Sequence, residues 1–215
     1  MPIERNNLVG TIPNEIVTLS ALVQFIAFRN SITGTIPNLL GLTSLQRLDL
    51  GYNLLKGLAF PTFDGLNAMV SYRISRNALT GMIPSEISSW TLLTELEARA
   101  NFLSGSIPAT LWALPSLTSV VLDQNLLTGT LPTQMGLATN LLQIHAAWNA
   151  LSGSIPTEFY RLTMLNEVLL SYNRLTGTFS EEIGNLVALQ NLQLTSNSFS
   201  GTIPRTIGLL KGLGT

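Results

Sequence analysis

The sequence predicts an α/β repeat solenoid: a right-handed coil of short parallel strands on a concave face, with short helical or 3-10 turns on the convex face. Three features predict it. A period of 23 or 24 residues runs through the chain, an alternating apolar segment precedes each period mark, and an Ile-Pro pair follows most of them. A fixed period of this length means stacked units, each of which buries its apolar face against its neighbours.

Asparagine marks the period, at Asn6, Asn30, Asn53, Asn77, Asn101, Asn125, Asn149, Asn173 and Asn197, with a step of 24 throughout except for one step of 23 between Asn30 and Asn53. Upstream of each complete mark, apolar residues sit eight, five and three positions before the asparagine, as in Leu93, Leu96 and Ala98 or Leu165, Val168 and Leu170. The last two alternate as a half-buried strand does. Stacked strands of this kind form a parallel sheet spaced by about 4.8 Å. The asparagine closes the strand by turning its amide inward. A buried amide has two donor hydrogens and an acceptor oxygen, so Asn30 through Asn197 are expected to form one continuous buried ladder on the bending backbone. Two residues further on comes an apolar side chain, from Leu8 to Phe199, and four further on a glycine, from Gly10 to Gly201, which suits a left-handed bend.

The pair Ile-Pro then recurs at Ile12-Pro13, Ile36-Pro37, Ile83-Pro84, Ile107-Pro108, Ile155-Pro156 and Ile203-Pro204, with Leu131-Pro132 close to it. Proline fixes φ and donates no hydrogen bond, so it ends pairing and starts a short helical turn on the return path. Ala59-Phe60 and Phe179-Ser180 replace the pair, and local irregularity is expected there. Trp90 shares the register of Leu66 and Leu114 and is assigned to the core. Trp112 is assigned to the exposed convex side.

The string Asn-x-Leu-x-Gly-x-Ile-Pro, as in Asn101-Phe102-Leu103-Ser104-Gly105-Ser106-Ile107-Pro108, resembles the plant-type leucine-rich repeat over essentially the whole chain. The resemblance implies a second strand before Ile-Pro, a twisted solenoid, and kinship with receptor-like kinase ectodomains and polygalacturonase inhibitors. It further implies a non-enzymatic protein- or peptide-recognition module, receptor-like and signalling, at the cell surface or outside the cell. A cytoplasmic setting is the alternative, because these residues contain no cysteine, no Asn-x-Ser/Thr sequon and no signal-like opening. Family ectodomains begin with a cysteine-paired cap. Residues 1–215 are read as a single domain with a partial first repeat and eight 23/24-residue repeats, a fragment lacking both caps, and self-association through the uncapped ends is expected.

Composition narrows the function classes. Apolar residues make up 46% and charged residues only 11%, with a formal net charge of -1, so the chain has a large core and no basic field to gather nucleic acid. No apolar run reaches about 18 residues, so no membrane insertion is expected of these residues. Without cysteine there is no thiolate site, and no nucleophile, base and orienter stand together. No cofactor, metal or catalytic residue is assigned. Glu181-Glu182 falls on the return path and is read as solvated charge.

Candidate contacts lie at the outward strand positions, counted back from each asparagine. One group is charged: Arg47 and Asp49, then Arg73 and Arg76, then Glu95, Glu97 and Arg99. Asp49, Arg73 and Glu97 share a column and are expected to pair across the sheet. Arg73 and Arg76 are the alternative anion site, with forked donors for a ligand carboxylate. Some family receptors hold a peptide's C-terminal carboxylate with an Arg-x-Arg pair, and here the two arginines lie one residue further apart. The other group is aromatic: Phe28 and Tyr52 early, Trp148 and Tyr172 later, with Val121 and Leu169 beside the later pair and His145 on the same face. Exposed aromatics among apolar neighbours are common binding anchors. A lateral column of Thr11, Thr35, Ser106, Thr130, Ser154, Thr178 and Thr202, interrupted by Leu58 and Met82, supports a second reading as a polysaccharide- or ice-binding surface. An intracellular scaffold is the third.

Overall fold

The computed structural model describes residues 1–61 and 65–214. Eight three-residue strands, Gln24–Ile26, Arg47–Asp49, Ser71–Arg73, Glu95–Glu97, Ser119–Val121, Gln143–His145, Glu167–Leu169 and Asn191–Gln193, form one sheet in chain order. Every neighbouring pair is parallel. The expected partial strand is present as well, with Pro2 bridging Ile26. In each of these strands the middle residue is the inward one: Leu48, Leu96, Val120, Ile144 and Val168 are wholly buried. Its two neighbours face the open side, as the pleat requires.

The asparagine ladder holds the strands' ends. The Asn125 amide donates to the carbonyls of Leu122 at 3.0 Å and Ala98 at 2.9 Å, and its oxygen accepts from the Leu103 N–H at 3.0 Å. The same three bonds recur at every mark from Asn30 to Asn197, for example Asn53 to Leu50, Ala27 and Ile32. The expectation of uniform burial needs correcting. Only Asn53, Asn101 and Asn125 are fully buried, and the other ladder residues are half-buried. The buried three are followed by bulky apolar residues, Leu54, Phe102 and Leu126, whereas Ser31, Ala78, Ala150, Arg174 and Ser198 follow the rest. A large side chain beside the amide keeps water off it; a small or charged one does not.

The residue before each asparagine is left-handed, from Arg5 at φ 53° to Trp148 at φ 57°, although none of the nine is glycine. Such a conformation costs about 1–2 kcal/mol for a residue bearing a Cβ. Regular ladder and strand bonds on either side hold it in place. The expected left-handed glycines after the ladder are also present, from Gly10 to Gly201.

Beyond the ladder runs the second set of strands. Lys56–Leu58, Ala78–Gly81, Phe102–Ser106 and Leu126–Thr128 form one sheet, and Ser152–Gly153, Arg174–Gly177 and Ser198–Phe199 another, with a bridge between Thr130 and Ser152 joining them. Short 3-10 turns follow at Asn14–Thr18, Ser85–Ser89, Ala109–Ala113, Thr133–Leu137, Thr157–Arg161, Glu181–Asn185 and Arg205–Leu209. Proline precedes six of them, as its fixed φ suggests.

Two expectations about this return path change. Phe179-Ser180 is not irregular, because the Ser180 hydroxyl accepts from the Glu182 N–H and caps a regular turn where proline is missing. The turn after Ala59-Phe60 runs into residues 62–64, outside the described residues, and the irregularity expected there is not tested. The inward strand residue Tyr72 is buried and donates from its hydroxyl to the Ala59 carbonyl at 2.5 Å, while its ring stacks on Phe60 and packs against Trp90. A large ring thus fills the space that Ala59 leaves. Trp112 is not exposed: it is wholly buried within its 3-10 turn. The neighbouring turns carry the small residues Ser88 and Gly136 at the same register. Alternation of large and small residues packs a layered wall without voids.

Candidate functional site

The outward positions of the strands and the left-handed residues after them form the open face and its rim. Arg73 pairs in register with Asp49 on one side and Glu97 on the other, so the expected column exists. Its chemistry differs from the expectation. The Arg73 fork grips Glu95, Nη2 to Oε1 at 2.6 Å and Nε to Oε2 at 3.1 Å, with Ser71 donating to the same carboxylate. Glu97 lies at 3.7 Å. Asp49 is too short to compete and accepts instead from the Gly51 N–H at 3.0 Å. Burial raises the pKa of Asp49 and of Glu97, and the Arg73 charge opposes the rise at both.

Arg76 leaves that network altogether. It occupies the left-handed rim position, where its guanidinium lies 5.1 Å from the Tyr52 ring centre. Tyr52 meets Phe28 edge-on at 5.0 Å, and Arg29 lies over the same ring at 5.2 Å. Arg73 and Arg76, read together as one anion site, are thus divided between a carboxylate on the sheet and an aromatic on the rim. Apart from Arg73, which is held by Glu95, the candidate residues fall into two clusters, Phe28, Tyr52 and Arg76 at one and His145, Trp148 and Tyr172 at the other.

At the second cluster Trp148 and Tyr172 stack with ring centres 3.7 Å apart and planes 13° from parallel. They remain 53% and 42% exposed, so a broad apolar surface stays open to a partner. Beside them is a groove of about 470 Å³ lined by Arg99, Asp123, His145 and Leu169 together with the two rings. Val121 and Leu169 flank His145 in register. His145 is half-buried, with Nε2 2.9 Å from Glu167 Oε2 but without the geometry of an aligned hydrogen bond.

Asp123 and Arg99 complete the groove floor. Asp123 is buried, accepts from the Ala147 N–H at 2.9 Å, and makes no ion pair among the described residues. Burial raises its pKa, opposed by that hydrogen bond and by the charges of His145 and Arg99. Arg99 Nε is buried with no hydrogen-bond partner. Sequence reading placed Arg99 in the charged stretch and missed Asp123. The available signal was positional: two residues before the ladder asparagine, Arg99 and Asp123 stand on successive repeats as opposite charges, between Ser75 and Ala147.

Among the described residues no group of three or more acidic, histidine or cysteine residues could hold a metal ion, and no helix is long and apolar enough to cross a membrane. The lateral hydroxyl column is exposed along its length, with Leu58 and Met82 as its interruptions. It sits close over the glycines of the next repeat: a Cβ on Gly153 would come within 2.9 Å of Thr130. Glu181 is exposed as expected but has a structural role, since it accepts from the Arg205 and Thr206 N–H groups, which lower its pKa.

The comparisons agree with this geometry. The leucine-rich-repeat family model matches residues 164–186 and 188–210. A search of curated proteins gave no match. Among solved structures, the plant peptide hormone receptor RGFR1 in complex with RGF2 is 34% identical at a TM-score of 0.94, over 99% of this chain and 38% of the receptor chain. A TDR receptor is 31% identical at 0.95, over 99% of this chain and 37% of its own. A plant ice-binding protein is 25% identical at 0.72, over 95% of this chain and 74% of its own. The chain therefore spans well under half the length of the two receptor chains it resembles.

Proposed function

We propose that this leucine-rich-repeat solenoid is a non-enzymatic recognition module that binds an extended peptide or protein segment along its open face and rim, as part of a receptor-like protein at the cell surface. The observation that carries the reading is the stacked Trp148–Tyr172 pair, exposed beside a groove whose floor holds a buried carboxylate and an unpartnered Arg99 Nε. Large rings bury much area for little rotamer entropy, and polar groups left without partners gain when a ligand supplies them. The likeness to a receptor solved with its peptide hormone supports the same reading. The test is to display randomised ten-residue peptides, select on the full chain, and repeat with Trp148→Ala. Enrichment that disappears in the variant supports the reading. Equal enrichment on both proteins places binding elsewhere.

A second reading is favoured by one observation, the exposed Ser/Thr column, and by the likeness to a plant ice-binding protein. It predicts uptake of the chain into growing ice, or binding to insoluble polysaccharide, that is lost on Thr130→Val together with Thr178→Val and untouched by Trp148→Ala.

A further inference from the structure

The two aromatic clusters differ in what the chain itself lays on their rings. At the first, Tyr52 is flanked on the rim by Arg29 and Arg76, one repeat to either side, and both guanidiniums rest on its ring, 5.2 Å and 5.1 Å from the centre. At the second, the residues that flank the Trp148–Tyr172 pair at the same rim position are Gln124 and Ser196, both uncharged. Among the described residues no cation lies over either ring. The two rings cover each other's inner faces, so the outer face of Trp148 stays open on the side of Gln124. An open indole face attracts a cation.

The residue beside Gln124 changes in the complementary sense. Phe28-Arg29 stands one repeat before Tyr52, and Asp123-Gln124 stands at the same two positions one repeat before Trp148. The second cluster thus lacks the chain's own cation and has a carboxylate next to the vacant ring face. Asp123 is buried, lines the groove with Trp148 and Tyr172, and makes no ion pair among the described residues. Burial raises its pKa in spite of the charges of His145 and Arg99, so the cations already in the groove do not offset the cost of burying this carboxylate.

We propose that the groove takes an arginine side chain of the bound peptide, its guanidinium stacked on the outer face of Trp148 and its donors directed to Asp123. This rests on the peptide reading above and deepens it by naming the residue that the groove selects. A planar guanidinium satisfies both neighbours at once, because it stacks on an aromatic face and offers forked donors to a carboxylate. Arg29 on Tyr52 shows the stacking half of that contact within the chain itself. The ligand's arginine takes the place at Trp148 that Arg29 takes at Tyr52, and Asp123 adds the counter-charge that Phe28 cannot provide.

Two measurements on the full chain test the arginine site and the peptide reading separately. In the first, acetyl-arginine amide and its uncharged isostere acetyl-citrulline amide are titrated while the indole N–H NMR signals are followed. Trp90 and Trp112 are buried and serve as references, so the signal that moves is that of Trp148. A saturable shift with the arginine compound is expected, with binding about tenfold weaker for citrulline and for Asp123→Asn, the scale of a lost charge-assisted bond. Equal binding of the two compounds, or no saturable shift with either, overturns the arginine site. In the second, peptides selected from the displayed library whose enrichment is lost with Trp148→Ala are expected to carry an arginine. Replacing that arginine by citrulline should weaken binding about tenfold to the parent and far less to Asp123→Asn. Peptides that depend on Trp148 and carry no arginine overturn the site and leave the peptide reading standing. Saturable binding of acetyl-arginine amide with no enriched peptide overturns the peptide as the source of the arginine.

Discussion

Trp112 on the return wall and Trp148 on the rim belong to the same repeat plan, yet one is wholly buried and the other more than half exposed. On the wall, the 3-10 turns of adjacent repeats pack against one another, and the Trp112 ring lies wholly buried among them. At Gly136 the fit is so close that a Cβ would meet the Glu158 carbonyl oxygen at 2.8 Å. On the rim, each left-handed residue projects from a backbone already fixed by strand and ladder bonds, so its side chain is free to vary without cost to the core. Position within the repeat, rather than residue type or side of the coil, decides whether a large side chain supports the fold or meets a partner.

The sharpest break between wall and rim is expected in stability. Trp112→Ala should lose about 3–5 kcal/mol, the usual cost of emptying a large core site. Urea denaturation read by far-UV circular dichroism measures it. A loss under about 1 kcal/mol would mean that the wall is as tolerant as the rim. Between the two regions lies the ladder, where Asn125→Ala should cost about 1–3 kcal/mol, because the carbonyls of Ala98 and Leu122 and the Leu103 N–H all lose a buried partner. The half-buried Asn173 should cost less, since water can reach its groups. Equal midpoints for the two variants would show that the bulky residue beside Asn125 does not exclude water.

Most of the wall and ladder was legible in the sequence, for a reason that Asn101 and Leu96 illustrate. Each repeats a neighbour's environment eightfold, so one residue's role is read from the whole column. Trp112 was misplaced because the return path has no alternation to show which residue turns inward. Tyr72 shows the same limit, since its partner Ala59 is legible only as a break in the pattern. On the rim, the Trp148–Tyr172 pair was legible as a column, but the partners of the arginines were not. Arg73 went to Glu95 along a diagonal, and Arg76 to Tyr52, because side-chain length and left-handed backbone geometry settle those contacts and periodicity does not.

Function should separate the regions in the opposite sense. Trp148→Ala should weaken binding of a selected peptide by at least about 1 kcal/mol, a lower bound for an anchor, while leaving the denaturation midpoint unchanged. Isothermal titration calorimetry beside the urea curves measures both on one sample. A fall in stability comparable with that of Trp112→Ala would assign the stacked pair to the core and withdraw it from recognition.

The smallest expected effect is at Asp123, where rim and core meet. Burial raises the pKa of this carboxylate in the folded chain, so the folded state holds its proton more firmly than the unfolded one. Stability contributed by the protonated form is therefore lost as pH rises through the folded pKa, and at neutral pH the ionised side chain opposes folding. Asp123→Asn keeps an amide oxygen to accept from the Ala147 N–H and removes the charge. Its thermal midpoint should stand slightly above that of the parent at pH 7, and the gain should vanish once the pH falls below the ordinary carboxylate range, where both side chains are neutral. Melting curves at pH 7 and pH 3 provide the comparison. If Asp123→Asn is instead less stable at pH 7, the attraction of His145 and Arg99 outweighs burial. The groove floor is then balanced within the chain and has no carboxylate in need of a ligand.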